Sequence, residues 1–285
     1  MPKNLYILSI NGGSSSIKFS FYKNKESLEQ LFAGEIENIG TNEAKLHFKS
    51  TFDQQKNSVD IEAADHDQAA SYLIDWLEKQ EGFTSVSVIG HRIVHGMQHT
   101  EPELITDDLL DELKKISTFD PEHLPEEIKL IEVFKKHYPE LKQIACFDTS
   151  FHTSMPTVAK LLPLPRRYYK MKIQRYGFHG LSYAYLMEEL KRVAGADAAK
   201  GRIILAHLGN GASLAAVNDE KSQDTSMGFT PTSGLPMSTR TGDLDPGVTW
   251  YLMQYENINP KDFSHLINHE SGLLGVSETS ADMRE

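Results

Sequence analysis

The chain has 285 residues and one cysteine, Cys146, which excludes an internal disulfide and suits a reducing compartment. Basic residues are outnumbered: 29 Lys and Arg against 40 Asp and Glu leave a formal net charge of −11. That balance argues against nucleic acid or an anionic membrane surface as a partner. An anionic ligand has to be met by local donors. No apolar run approaches the roughly 20 residues of a membrane span. The apolar part of MPKNLYILSINGG is too short for a secretory leader, so the expected location is cytoplasmic. No Gly-x-x-x-x-Gly-Lys-Ser/Thr occurs, and no Gly-x-Gly-x-x-Gly opens a helix after a strand. A P-loop and a dinucleotide fingerprint are therefore unsupported. Cys/His metal spacing is missing as well, since His91 and His95 share a segment with no carboxylate-bearing helix around them.

What remains is an ordinary globular composition, 39% hydrophobic and 24% charged, in a chain long enough for one or two domains and a sizeable core. Its organising stretch is Leu5–Tyr22. An apolar run ends at Ile10, a loop follows over Asn11–Ser16, and Ile17, Phe19 and Phe21 then alternate with Lys18 and Ser20. This is strand, tight loop, strand. Glycines let the backbone turn and let a ligand approach the amides, which form an anion-binding nest, with serine hydroxyls and Lys18 as further donors. An ordinary Gly/Ser hairpin is the alternative. The pattern returns at Ile203–Val217, where Asn210-Gly211-Ala212-Ser213-Leu214 lies over Gly13-Ser14-Ser15-Ser16-Ile17. Two units of one design imply a duplicated fold, each half offering a donor-rich loop to a shared cleft.

Between these units, strands are expected at Leu31–Glu37, Ala44–Ser50, Val86–Gly90 and Gln143–Phe147. Helices are expected at Gln68–Lys79, from a Thr106 cap through Lys115, and from Glu126 to Tyr138. Helical crossovers imply parallel strands, whose carboxyl ends bind ligands in open α/β sheets. Arg92 and Asp148 are placed on that rim. Leu161–Tyr169 reads as an aperiodic connection, and Gln174–Leu181 opens a helix reaching Val193. Asp245 and Pro246 start a helix to Tyr255. The last helix, Asp262–His269, closes near Gly272. The second half stops without the βαβ continuation of the first, so the chain is read as truncated, with lobes at 1–150 and 151–285.

The polar residues left over are Arg92 and His95 in GHRIVHG, Asp148, Thr149 and His152 in FDTSFH, His179 in YGFHG, Asn210, and Arg240 and Asp243 in STRTGDLDPG. Each has a structural alternative: Arg92 can close a salt bridge, Asp148 can cap a turn, and His179 can be a buried hydrogen-bonded histidine. Their shared placement on loops at strand ends points to a ligand. The set suits phosphoryl transfer, which needs positioning and charge neutralisation: arginines hold phosphoryl oxygens bidentately and a carboxylate holds Mg²⁺ or orients the acceptor.

The segments ILSINGGSSSIKF, GHRIVHG, FDTSFHTSMP, RRYYKMKIQRYGFHGLSY, HLGNGASLAAV, DTSMGFTPTSGLPMSTRTGDLDPG and SADMRE resemble the acetate kinase family, within the acetate and sugar kinase/Hsp70/actin superfamily. They run in the family's order along the whole chain. The resemblance implies an α/β architecture of duplicated ribonuclease H-like (actin/Hsp70-type) βββαβαβα lobes with a cleft between them, the second lobe incomplete. It implies phosphoryl transfer from ATP to acetate, giving ADP and acetyl phosphate, with Mg²⁺ or Mn²⁺, in a homodimer. Asn11 would lie near the metal and phosphates, with Ser14, Ser16 and Lys18 in the first phosphate loop. Arg92 and Arg240 would hold the carboxylate and the transferring group. Asp148 would be the catalytic carboxylate and His179 would stabilise the transition state, with support from His123. His207, Asn210 and Gly211 would meet nucleotide phosphates, and Asp282, Met283 and Arg284 the adenosine. Val94, Phe178 and Pro231 would line the methyl pocket.

Two departures qualify that expectation. The family chain is longer, and its further part carries a metal-binding glutamate and a glycine-rich adenosine segment. Where the family has Ala-Pro-Leu-His-Asn-Pro, this chain has Asp120-Pro121-Glu122-His123-Leu124-Pro125. A Glu122 carboxylate turned into an apolar pocket would be costly without a partner, so either it faces solvent or the acyl substrate differs. Propionate or butyrate kinase activity, and a nucleotide-binding module without transferase activity, are the alternatives.

Overall fold

Leu8 and Ile10, and then Ile17, Phe19 and Phe21, are buried while their sequence neighbours are more exposed, so the expected alternation holds. The computed structural model describes residues 5–25, 27–51, 56–121 and 123–285. The chain divides into two compact units, Met1–Phe147 and Asp148–Glu285.

In the first unit the elements are β1 (Leu5–Gly12), β2 (Ile17–Asn24), β3 (Leu28–Glu37), β4 (Lys45–Ser50), β5 (Lys56–Asp60), α1 (His66–Leu77), β6 (Val86–Ile93), β7 (Glu103–Leu104), α2 (Asp107–Ile116), α3 (Leu124–His137) and β8 (Lys142–Phe147). The strands form one sheet in the order β5-β4-β3-β2-β1-β6-β8-β7. The meander β1 to β5 is antiparallel, and β6 runs parallel to both β1 and β8. The central run β3-β2-β1-β6-β8 is the ribonuclease H-like arrangement, and the helical crossovers between its parallel strands are as expected. Asp65 caps α1 by accepting from the Gln68 amide at 2.9 Å, and Thr106 caps α2 through the Leu109 amide at 3.2 Å. Leu73, Ile74 and Leu77 of α1, with Leu130 and Phe134 of α3, complete a core whose aromatic centre is Trp76. The Phe48, Phe19 and Phe32 rings lie 4.8, 5.4 and 5.5 Å from it.

In the second unit come α4 (Thr157–Lys160), α5 (Arg166–Lys170), α6 (Gly180–Ala194), α7 (Ala196–Ala199), β9 (Arg202–Leu208), β10 (Ala212–Asn218), β11 (Lys221–Thr225), α8 (Pro246–Tyr255), α9 (Pro260–His269) and α10 (Gly272–Ser277). The sheet β11-β10-β9 is antiparallel throughout. It repeats the opening meander of the first unit. Tyr183 and Met187 of α6 pack on Leu205, Ala215 and Val217. Arg175 holds the loop that follows β11, donating through Nη1 to the carbonyls of Thr225, Ser226 and Met227 at 2.9–3.3 Å.

Several elements differ from the sequence expectation. Asn11 belongs to β1, opposite Lys18, so the first loop is Gly13–Ser16. The polar edge strands β5, β7 and β11 carry too little alternation to be foreseen; backbone pairing to a neighbour makes them strands. Leu161–Tyr169 borders short helices, because Arg166–Lys170 closes one turn after Pro165. Helix α6 begins at Gly180 and not near Gln174, after two residues of positive φ, Gly177 and His179. Gly272 opens α10 instead of closing α9. Its φ is +61°, and a Cβ there would lie 2.1 Å from the Met237 carbonyl. Among the described residues no helix is long and apolar enough to cross a membrane.

Two predictions test the packing. A Cβ on Gly34 of β3 would sit 2.5 Å from both the His47 carbonyl and the Phe19 ring. Gly34→Ala should therefore cost about 1–3 kcal/mol, read as a lower urea midpoint; an unchanged midpoint contradicts the packing. Burial holds the imidazoles of His91, His95 and His152 neutral, each with its pKa depressed from the usual 6.5 to about 4. Their contribution is intact above pH 6.5 and is lost as pH falls toward 4, by about 1.4 kcal/mol per pH unit per histidine. Unfolding curves across that range should show the decline, and His91→Gln should flatten it.

Candidate active site

In the first unit Ile10 and His91 pair across the parallel strands β1 and β6, so the next residues, Asn11 and Arg92, stand side by side. Arg92 Nη1 donates to Asn11 Oδ1 at 3.4 Å and to Glu127 Oε1 at 3.4 Å. Glu127 lies on α3 and is buried. Its other oxygen accepts from the Val94 amide at 2.9 Å, so one carboxylate fixes both the guanidinium and the backbone beyond β6. Val94 is itself buried. The salt-bridge reading of Arg92 is thus realised, with a partner that sequence reasoning missed. The available signal was an acidic residue at a core-facing position of α3. His123 precedes that helix, its amide donating to Asp120 Oδ1 at 3.2 Å. Glu122 lies outside the described residues.

The first loop is pinned from within. Gly13 N–H donates to Ser16 O at 2.7 Å, Ile39 N–H donates to Ser15 O at 3.1 Å, and His66 Nε2 donates to Gly13 O at 2.8 Å. The Gly13 amide is therefore spent within the turn itself. Ser14 is exposed and Ser16 half-buried. Lys18 sits outside on β2, 3.5 Å from Glu35.

The second unit gathers more of the expected residues. Asp148 is buried, and its carboxylate accepts from the His179 amide at 2.9 Å and the Leu181 amide at 3.4 Å. Its carbonyl accepts from Gly180 N–H at 2.7 Å. This is the capping role weighed for it, and it holds His179 at φ +60°. Gly180 has to be glycine, since a Cβ would meet the Asp148 carbonyl at 2.3 Å. His179 Nδ1 bonds Ser213 Oγ at 2.8 Å, and its ring stacks on His207 with centroids 3.9 Å apart. His207 Nδ1 in turn bonds Ser182 Oγ at 2.9 Å.

His179 Nε2 faces the second loop. A Cβ on Gly211 would be 3.2 Å from that nitrogen and 3.6 Å from Arg240 Nη1. Arg240 Nη1 donates to the Pro231 carbonyl at 3.1 Å, and Asn210 O accepts from Ser238 N–H at 3.2 Å. His179, His207, Gly211, Asn210, Arg240 and Pro231 thus line one region of this unit. Phe178 lies beneath, buried, its carbonyl accepting from His152 Nε2 at 3.0 Å. His152 Nδ1 then accepts from Ser222 Oγ at 2.8 Å, a core role. Asp243 staples a loop, accepting from Gly234 N–H at 2.9 Å. Asp282 and Arg284 pair with each other in an exposed turn, which holds the Asp282 carboxyl down at about 2; Met283 between them is exposed.

Comparison with known proteins gives a family match. The model of the acetokinase family matches residues 6–285. The acetate kinase of Streptococcus gordonii is 40% identical over 98% of this chain and 71% of its own length. The propionate kinase of Yersinia enterocolitica is 41% identical over 100% of this chain and 69% of its own. The crystal structure of a propionate kinase from Francisella tularensis superposes with a TM-score of 0.90 at 36% identity, over 98% of this chain and 71% of that one. By family match, by relatives and by fold, this chain belongs to the acetokinase family.

Proposed function

We propose that the protein is a carboxylate kinase of acetate kinase type. A carboxylate oxygen of acetate attacks the γ-phosphorus of ATP in line, the bond to the bridging oxygen breaks, and ADP leaves with that electron pair; the reverse reaction makes ATP from acetyl phosphate. The observation that carries this reading is the convergence of His179 Nε2 and Arg240 Nη1 on the Gly211 loop in a chain of this family. Two donors aimed at a glycine turn suit a phosphoryl group whose charge is spread over its equatorial oxygens. From the first unit, Arg92 is assigned to the acyl carboxylate and phosphoryl group and Val94 to the methyl pocket, with Ser14, Ser16 and Lys18 at the nucleotide phosphates. From the second, Arg240 and His179 are assigned to the transferring group, Asp148 to the catalytic carboxylate, and Phe178 and Pro231 to the pocket. His207, Asn210 and Gly211 are assigned to the phosphates, and the 282–284 turn to adenosine. A homodimer in the cytoplasm belongs to the same proposal.

Among the described residues no group of three or more His, Cys, Asp or Glu could hold a metal. That fits a magnesium ion carried in by the nucleotide, which takes most of its ligands from phosphates and water. Asn11 Oδ1 is the oxygen proposed to meet it, and the ion would neutralise charge on the phosphates.

Acyl length is the open choice, because relatives of both acetate kinase and propionate kinase name match equally well. One methylene is worth only about 1–3 kcal/mol in such a pocket. Relative rates on acetate, propionate and butyrate decide it, with acetate expected to be fastest. Arg92→Ala or Arg240→Ala should lower acyl phosphate formation, trapped as the hydroxamate, by about a hundredfold or more. Near-normal rates in both variants would remove the assignment, and nucleotide binding without turnover in the parent protein would favour a binding module.

A further inference from the structure

Helix α6 places Tyr183 one turn after His179, with Tyr183 N–H donating to His179 O at 3.0 Å, so both side chains lean toward β10. There they meet the same atom. Ser213 Oγ bonds His179 Nδ1 at 2.8 Å and makes a short hydrogen bond to the Tyr183 hydroxyl. Ser213 and Tyr183 are both fully buried, so bulk water takes no part.

The hydrogens in this group run one way. The Tyr183 hydroxyl is shut off from water and meets Ser213 Oγ, and a buried hydroxyl hydrogen left without an acceptor is costly. Tyr183 has one hydrogen of its own to place, and Ser213 Oγ accepts it. Ser213 then directs its single hydrogen at His179 Nδ1. A nitrogen that accepts carries no proton, so the neutral ring bears it on Nε2. That nitrogen is the one facing Gly211 and Arg240.

We propose that Ser213 and Tyr183 are positioning residues that fix His179 as the Nε2–H tautomer, a neutral donor directed at the phosphoryl group. The inference rests on the carboxylate kinase reading for what the donor meets, but the tautomer itself does not depend on it. The relay also resists the other states. With a proton on Nδ1, Ser213 would receive two donors and its own hydrogen would have to find another acceptor in a buried site, at a cost of about 1–3 kcal/mol.

Tyr183→Phe removes one oxygen and keeps the ring, and Ser213→Ala removes the bridge. In ¹⁵N-detected spectra of the ¹⁵N-histidine-labelled protein near neutral pH, the His179 signal should be that of a ring protonated at Nε2, and Tyr183→Phe should mix in the Nδ1–H form. A parent protein protonated at Nδ1, or a tautomer indifferent to both variants, overturns the proposal. In turnover, Tyr183→Phe should lower kcat by about 10–100-fold with KM for ATP and acetate within about twofold. It should add nothing in a His179→Ala background, because the two act as one unit. A full additional loss in that background would show that Tyr183 acts elsewhere. If the parent protein makes no acyl phosphate, the function reading fails while the spectra still decide the relay.

Discussion

The second unit depends on one carboxylate held against the start of a helix. Asp148 lies directly after β8, and its side chain and carbonyl together receive the amides of three successive residues, His179, Gly180 and Leu181. Those amides are orphan donors at the N-terminus of α6. Their capture stabilises His179 in a left-handed conformation that costs a non-glycine residue of order 1–3 kcal/mol. Strain of that kind persists where the surroundings over-determine it. Here it turns the imidazole toward β10 and the Gly211 loop, and the lack of a Cβ at residue 180 lets Asp148 come close enough.

The two units solve a shared problem with different materials. Each presents an arginine near a glycine turn that joins two antiparallel strands. Arg92 is steadied by a buried carboxylate, Glu127, while Arg240 leans on a backbone carbonyl, that of Pro231. An ion pair with a buried partner fixes geometry but offsets part of the positive charge. The Pro231 carbonyl orients the Arg240 group through Nη1.

Much of this was legible before any coordinates. The alternating runs in β1, β2, β9 and β10, the caps at Thr106 and Asp245, and the loops bearing Asp148 and Gly211 follow from local chemistry, because periodicity and capping are written in neighbouring residues. Residues tied by long-range contacts were less visible. Glu127 looks like one more acidic helix residue until α3 packs beside β6, and Ser213 looks like loop polarity until Tyr183 arrives beneath it. The strands β5, β7 and β11 exist because a neighbour offers an unpaired edge, a fact external to their own sequence.

Sequence by itself determined the family, the two-fold use of a strand–turn–strand unit, and the residue types brought to each turn. Tertiary structure alone decided which oxygens those residues spend on each other. It committed Asp148 to backbone amides, the Gly13 amide to its own turn, and the Nδ1 of His179 to Ser213. The reason is that hydrogen-bond partners are assigned by proximity in space, and the residues involved lie 31 to 35 positions apart or sit in a turn that the chain closes only when folded.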